Sequence, residues 1–178
     1  MENNPCAGTR FLIGSTGLNP EQLSRWEQYA KSHNCPVLIA PNTSTGVLLT
    51  LQSALNIAKG LHGLDFDIEI LESHHRNKID SPSGTAMFLA NNIAEHEKLS
   101  LNTNRTGKRK TDELGVVALR GGSVFGEHTV RFMGDYEEIM ITHRALSRDL
   151  FASGALTLGK WLMNQNQGRI VQLTEVSF

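Results

Sequence analysis

Phe66-Asp67-Ile68-Glu69-Ile70-Leu71-Glu72-Ser73-His74-His75-Arg76-Asn77-Lys78-Ile79-Asp80-Ser81-Pro82-Ser83-Gly84-Thr85 changes its period along its length, and that change sets out the fold. Phe66, Ile68 and Ile70 alternate with Asp67 and Glu69, the two-residue period of a half-buried strand. The strand runs directly into His74-His75. Ser83-Gly84-Thr85 then turns into a helix, on which Met87, Leu89, Ile93 and Ala94 recur at helical spacing.

The same stretch gathers chemistry. Histidine titrates near neutrality and can donate a proton there. Adjacent residues leaving a strand point in opposite directions, so at most one of His74 and His75 faces a given pocket. An ordinary hydrogen-bonded histidine beside a surface one would account for an isolated pair. Lys78 and the Ser83-Gly84-Thr85 turn add to it. N–H groups at a helix start, at the positive end of the dipole, bind carboxylate or phosphate. Gly84 lets backbone approach closely, and the Ser83 and Thr85 hydroxyls add donors. A Ser cap beside an exposed lysine is common, but with the histidines the set favours a site where a small, multiply anionic ligand is held and protonated. No zinc site is expected, because no His or Cys partner sits at ligand spacing on the same element.

Upstream, Phe11-Leu12-Ile13 reads as a buried strand ending in Gly14-Ser15-Thr16-Gly17. Asn19-Pro20-Glu21-Gln22 predicts a helix start with a capping box, carrying Leu23, Trp26 and Ala30 and ending near His33-Asn34. Pro36 to Ala40 is a second buried strand. Pro41-Asn42-Thr43-Ser44 leads to a helix with Val47, Leu48, Leu51, Leu55 and Ala58, stopped by Gly60. Gly14 to Gly17 lies at a strand's carboxyl end, the usual ligand crevice of an open α/β sheet, although a tight turn explains it equally well. Asn42 and Ser44 take the equivalent place after the second strand, where Ser44 alone would cap the helix.

Downstream, Glu97 to Leu114 is polar and reads as loop. Its basic cluster of Arg105, Lys108, Arg109 and Lys110 reads as solvated. Val116–Arg120, Ser123–Met133 and Tyr136–His143 read as three strands of an antiparallel meander. Gly126 before Glu127 and His128 reads as a bulge rather than a site. His143 and Arg148 read as structural or intersubunit residues, and Trp26 and Trp161 as core. Arg148 to Asn164 is a last helix. The order βαβαβα then βββα gives an α/β chain: the end of a parallel sheet, then an α+β part with a mixed or antiparallel sheet and helices on one face.

The 178 residues carry a net charge of −1, so no overall field attracts nucleic acid or an anionic membrane. Two cysteines make no disulfide framework and fit a reducing compartment. No apolar run is long enough to span a bilayer and no signal peptide is evident, so a cytoplasmic protein is expected. There is no G-x-G-x-x-G, no P-loop and no G-x-S-x-G elbow.

Glu72 to Ala86 closely resembles the signature of 4-hydroxy-tetrahydrodipicolinate (dihydrodipicolinate) reductases. The likeness continues in Ile13 to Gly17, Ala40-Pro41-Asn42, Leu119 to Gly122, Phe125 to Val130, Thr142 to Arg148 and Phe151 to Leu156. The resemblance implies reduction of a cyclic dicarboxylate by NADPH or NADH in lysine and diaminopimelate biosynthesis. It implies that His74 protonates the substrate ring, that Lys78 supports the developing charge, and that His75, Ser83, Gly84 and Thr85 hold the carboxylates. Gly14, Ser15, Thr16 and Gly17 match the loop beside the nicotinamide, Ala40, Pro41 and Asn42 the second loop, and Arg148 and Phe151 positions on the cofactor side. Family members are typically homotetramers joined through their C-terminal sheets.

By the same resemblance, residues 1–44 are the C-terminal remnant of a Rossmann-like dinucleotide-binding domain, and 45–178 a substrate-binding, catalytic and tetramerisation domain. The family's Gly-rich βαβ unit, which grips the pyrophosphate, has no counterpart in this sequence. Thr43 stands where a large apolar residue is usual. Losing even about 4 kcal/mol of cofactor binding weakens affinity roughly a thousandfold. The chain is therefore expected to be a shortened reductase, working with a separate nucleotide-binding half or left as a remnant of a full-length gene, or else a non-enzymatic dicarboxylate-binding or assembly protein derived from the reductase.

Overall fold

The computed structural model describes residues 8–15 and 17–178. They form two compact units: the described part of Met1–Leu48 with Asp149–Phe178, and Leu49–Arg148. In the first unit, strands β1 (Phe11–Ile13), β2 (Val37–Ile39) and β8 (Ile170–Val171) form a parallel sheet in the order β1-β2-β8. Helix α1 (Pro20–His33) joins β1 to β2, and its start is built as the sequence predicts. The Gln22 N–H donates to Asn19 Oδ1 at 2.8 Å, and the Asn19 N–H donates to Gln22 Oε1 at 2.9 Å. Asn34 ends the helix in the left-handed conformation, φ 49°. Helix α2 (Thr45–Leu61) runs on from this unit into the second, and Val47 N–H donates to the Ser44 hydroxyl at its start. Gly60 lies within that helix, one residue before its end, and the left-handed residue is Gly63.

Helix α4 (Asp149–Leu162) packs on β1. Its Gly154 is buried against the loop after β2, so close that a Cβ would collide with the Thr43 carbonyl.

The second unit is a mixed five-stranded sheet ordered β4-β5-β3-β6-β7, from β3 (Asp67–His74), β4 (Ser100–Asn102), β5 (Glu113–Arg120), β6 (Glu127–Met133) and β7 (Glu138–Arg144). Helix α3 (Gly84–Glu97) packs on β3, β4 and β5 and buries Ala86, Leu89, Ala90 and Ile93. The expected three-strand meander is corrected here. β5 pairs with β3 in parallel, so β3 lies between β5 and β6, and only β6 and β7 form an antiparallel hairpin. A strand–helix–strand crossover puts its two strands in parallel, and α3 is that crossover. The stretch read as loop also contains β4. The basic cluster is partly structural: Arg105 pairs with Glu69 and Glu113, and Arg109 with Asp67 and Glu69.

Pairing register gives the sheet two unlike faces. Toward α3, Ile68 faces Phe132, and Ile70 lies between Val116 and Val130, all buried. The opposite face leaves Val117, Leu119 and Met140 about half exposed.

Gly154→Ala is expected to destabilise the fold by about 1–3 kcal/mol, the usual range for overpacking. Urea denaturation checks it; a midpoint equal to that of the parent chain would refute the close approach.

Candidate active site

The strand period that builds the core also delivers the site. Following Ile68 and Ile70 along β3 at every second residue, the buried face next presents Glu72 and then His74. Register sets Ala118 and His128 on either side of Glu72, and Arg120 beside His74. The apolar face thus turns polar where α3 begins.

Glu72 is fully buried. Its Oε2 accepts from His74 Nδ1 at 2.5 Å and from Arg120 at 3.0 Å, and its Oε1 accepts from the Ser83 N–H at 2.9 Å and from Arg120 at 2.8 Å. Burial alone would raise its pKa, but Arg120, His74 and the Ser83 N–H together hold it below the usual carboxylate range. Burial is also the largest influence on His74 and lowers its pKa, as do the cations Lys78 and Arg120, while Glu72 pulls the other way. His128 stacks edge-on to His74 at 5.1 Å, and its Nε2 lies 3.2 Å from the Ser83 hydroxyl. Burial, with His74 nearby, pushes His128 down to about 4, so it is neutral at physiological pH.

Ser83 caps α3 by accepting from the Ala86 N–H at 3.1 Å. The helix start is engaged rather than open. Ser83 N–H is on Glu72, and Gly84 N–H donates to Asp80 Oδ2 at 3.2 Å. Asp80 Oδ1 in turn meets Lys78 Nζ at 2.8 Å. A carboxylate of the chain therefore bridges the ammonium and the helix start.

Gly126 lies against the His74 ring. Its φ is +155°, and a Cβ there would lie 2.9 Å from His74 Nε2, so the missing side chain is what leaves room for that nitrogen. The donor atoms of Glu72, His74 and His128 all lie within 4.8 Å of one another. The guanidinium already on Glu72 opposes a second cation there.

Residues 46–176 match the family model described as dihydrodipicolinate reductase, C-terminus. The chain belongs to the dihydrodipicolinate reductase family. It is 48% identical to the 4-hydroxy-tetrahydrodipicolinate reductase of Aquifex aeolicus over 89% of this chain and 60% of that protein. It is 43% identical to the Methanopyrus kandleri enzyme of the same name over 100% of this chain and 67% of that one. The dipicolinate-bound dihydrodipicolinate reductase from Paenisporosarcina sp. TG-14 superposes with a TM-score of 0.73 at 25% identity, over 92% of this chain and 62% of that one. The chain thus spans about three-fifths of the length of such reductases.

Of the residues that the reductase likeness singled out, His74, Lys78, Ser83 and Gly84 are drawn together in the second unit through Glu72 and Asp80. His75 is half-buried beside them, its N–H on the Val124 carbonyl at 2.8 Å, and Thr85 is half-buried in the first turn of α3. In the first unit, Gly14 and Ser15 follow β1 and are exposed, as is Gly17, while Thr16 lies outside the described residues. Ala40 is buried after β2, with its N–H on the Ile13 carbonyl at 2.8 Å. Pro41 is exposed, and Asn42 Oδ1 accepts from the Ser44 N–H. Thr43 donates its hydroxyl proton to the Phe151 carbonyl at 2.7 Å, tying the start of α4 to the loop after β2. Arg148 is exposed at the end of the second unit.

Glu72, Arg120 and His128 were not among the expected site residues. Continuing the Ile68–Ile70 alternation would have found Glu72. Arg120 and His128 join only through strand pairing.

Because folded His128 stays neutral down to about pH 4 while the unfolded chain takes up its proton near 6.5, acid favours unfolding. Stability should fall by about 3 kcal/mol as pH drops through that window. In His128→Gln most of that loss should vanish. Equal pH slopes of the urea midpoint in the two proteins would remove His128 as the source.

Proposed function

We propose that this chain carries the dicarboxylate-binding and proton-donating part of a 4-hydroxy-tetrahydrodipicolinate reductase, acting in lysine and diaminopimelate biosynthesis. The Asp80 bridge carries this reading: a carboxylate fits between Lys78 Nζ and the Gly84 N–H, on a turn whose neighbouring Ser83 shares Glu72 with His74. A substrate carboxylate displaces Asp80 and takes the same two donors. His75, Ser83 and Thr85 complete the hold on the dianion. His74 gives its proton to the substrate ring, and Lys78 steadies the charge that develops.

NADPH or NADH, when bound, supplies the hydride. Gly14, Ser15, Thr16, Gly17, Ala40, Pro41 and Asn42 would hold the nicotinamide end, and by the family likeness Arg148 and Phe151 also serve the cofactor. The fit rests on two loops that leave the carboxyl ends of adjacent parallel strands, the usual crevice of such sheets, where Gly14 and Ser15 expose backbone. The sequence carries no G-x-G-x-x-G, and the chain by itself binds the dinucleotide weakly. The half-exposed Val117 and Leu119 on β5 and Met140 on β7 share the sheet face away from α3, and this face joins copies of the chain into a homotetramer.

Calorimetry with pyridine-2,6-dicarboxylate and NADPH tests the site. Binding of the first and little of the second is expected; tight NADPH binding would refute the weak grip on the dinucleotide. Lys78→Met should weaken the dicarboxylate at least about tenfold, the usual range for losing a charged hydrogen bond. His74→Gln should keep that affinity within about threefold while lowering turnover, since a proton donor matters in the transition state more than in binding. Dicarboxylate affinity untouched by Lys78→Met would sink the site. Leu119→Glu with Met140→Glu should reduce the assembly to monomers by light scattering; an unchanged mass would rule this face out.

A further inference from the structure

We infer that Glu72 is a positioning residue for the proton donor: held between Arg120 and the Ser83 N–H, its carboxylate fixes the tautomer of His74 so that Nε2 is the nitrogen that gains and loses the proton. The inference deepens the reading of His74 as the acid and rests on it.

An ionised carboxylate has no proton to give, so the 2.5 Å contact between Glu72 Oε2 and His74 Nδ1 requires the proton on Nδ1. Glu72 stays ionised because Arg120 reaches both of its oxygens and the Ser83 N–H donates to one. The proton that comes and goes is then the one on Nε2, which faces the bare backbone of Gly126.

The groups around His74 make the carboxylate necessary. Arg120 approaches from β5 and Lys78 from the loop, both cationic, and both disfavour an imidazolium, as burial does. His128 on β6 is neutral and adds no charge at neutral pH, and His143 on β7 lies behind it in register. Ser83, from the start of α3, is uncharged. Glu72 is the counter-charge that opposes burial and the two cations when Nε2 takes up a proton. The same carboxylate holds the Ser83 turn, so acid and anion site are fixed to one point.

Glu72→Gln tests this in the full 178-residue chain with 15N-labelled histidine. The amide oxygen can still accept from Arg120 and Ser83, but its NH₂ now faces Nδ1 and demands an acceptor there. The His74 ring should change from the Nδ1–H to the Nε2–H tautomer, and its titration midpoint should fall by at least about one pH unit. Affinity for pyridine-2,6-dicarboxylate should stay within about threefold, because Glu72 contacts only protein groups. An unchanged tautomer and midpoint would overturn the inference, as would lost dicarboxylate affinity with an unaltered titration, which would make Glu72 structural only. Should the variant not fold, the parent chain decides: Nδ1–H with a bare Nε2 in neutral His74 supports the inference, and Nε2–H overturns it. If the parent binds no dicarboxylate, the proposed function fails while the ring spectrum still decides the role of Glu72.

Discussion

A carboxylate with no solvent contact is the constraint on which the second unit turns. Burying an unpaired charge costs several kcal/mol, so Glu72 holds its place only while Arg120, Ser83 and His74 all donate to it. Those donors come from β5, from the head of α3 and from β3 itself. Satisfying one buried anion therefore aligns two paired strands with the helix that crosses over between them. Removing a donor would leave the charge uncompensated, which is far more destabilising than the hydrogen bond alone would indicate. Two of the residues that satisfy Glu72, His74 and Ser83, are also among those proposed above to meet a ligand.

The sheet face beneath α3 explains how such a network sits next to a dry core. Its rows run from Ile68 and Phe132, through Ile70 with Val116 and Val130, to Glu72 with Ala118 and His128, and end at His74 with Arg120. Apolar rows lie under the body of the helix, and polar rows lie at its N-terminus, where the dipole favours negative charge. Asp80 uses that position, bridging Lys78 and the Gly84 N–H.

The first unit is a different construction. Its three parallel strands present two loops at their carboxyl ends, and α4 returns late in the chain to pack on β1. Gly154 against the Thr43 carbonyl and the Thr43–Phe151 hydrogen bond fix how α4 meets the loop after β2. Thr43 is thus engaged with backbone.

The amino-acid sequence by itself determined the elements with strong local signals. The Asn19–Gln22 capping box, the alternation of β3, the Ser83 cap and the family signature around His74 and Lys78 are all set by neighbours within a few residues. It did not disclose that β3 lies between β5 and β6, because strand order depends on which edges meet, and the short glycine turns before β6 and β7 read equally well as a meander. It did not disclose that the helix start is occupied by Glu72 and Asp80, nor that Arg105 and Arg109 clamp the sheet. Hydrogen bonding across the sheet, between residues 48 apart in the case of Glu72 and Arg120, was decided by tertiary structure alone. The physical reason is that a local pattern fixes which face a side chain takes, whereas the partner waiting on that face comes from wherever the fold brings the chain back.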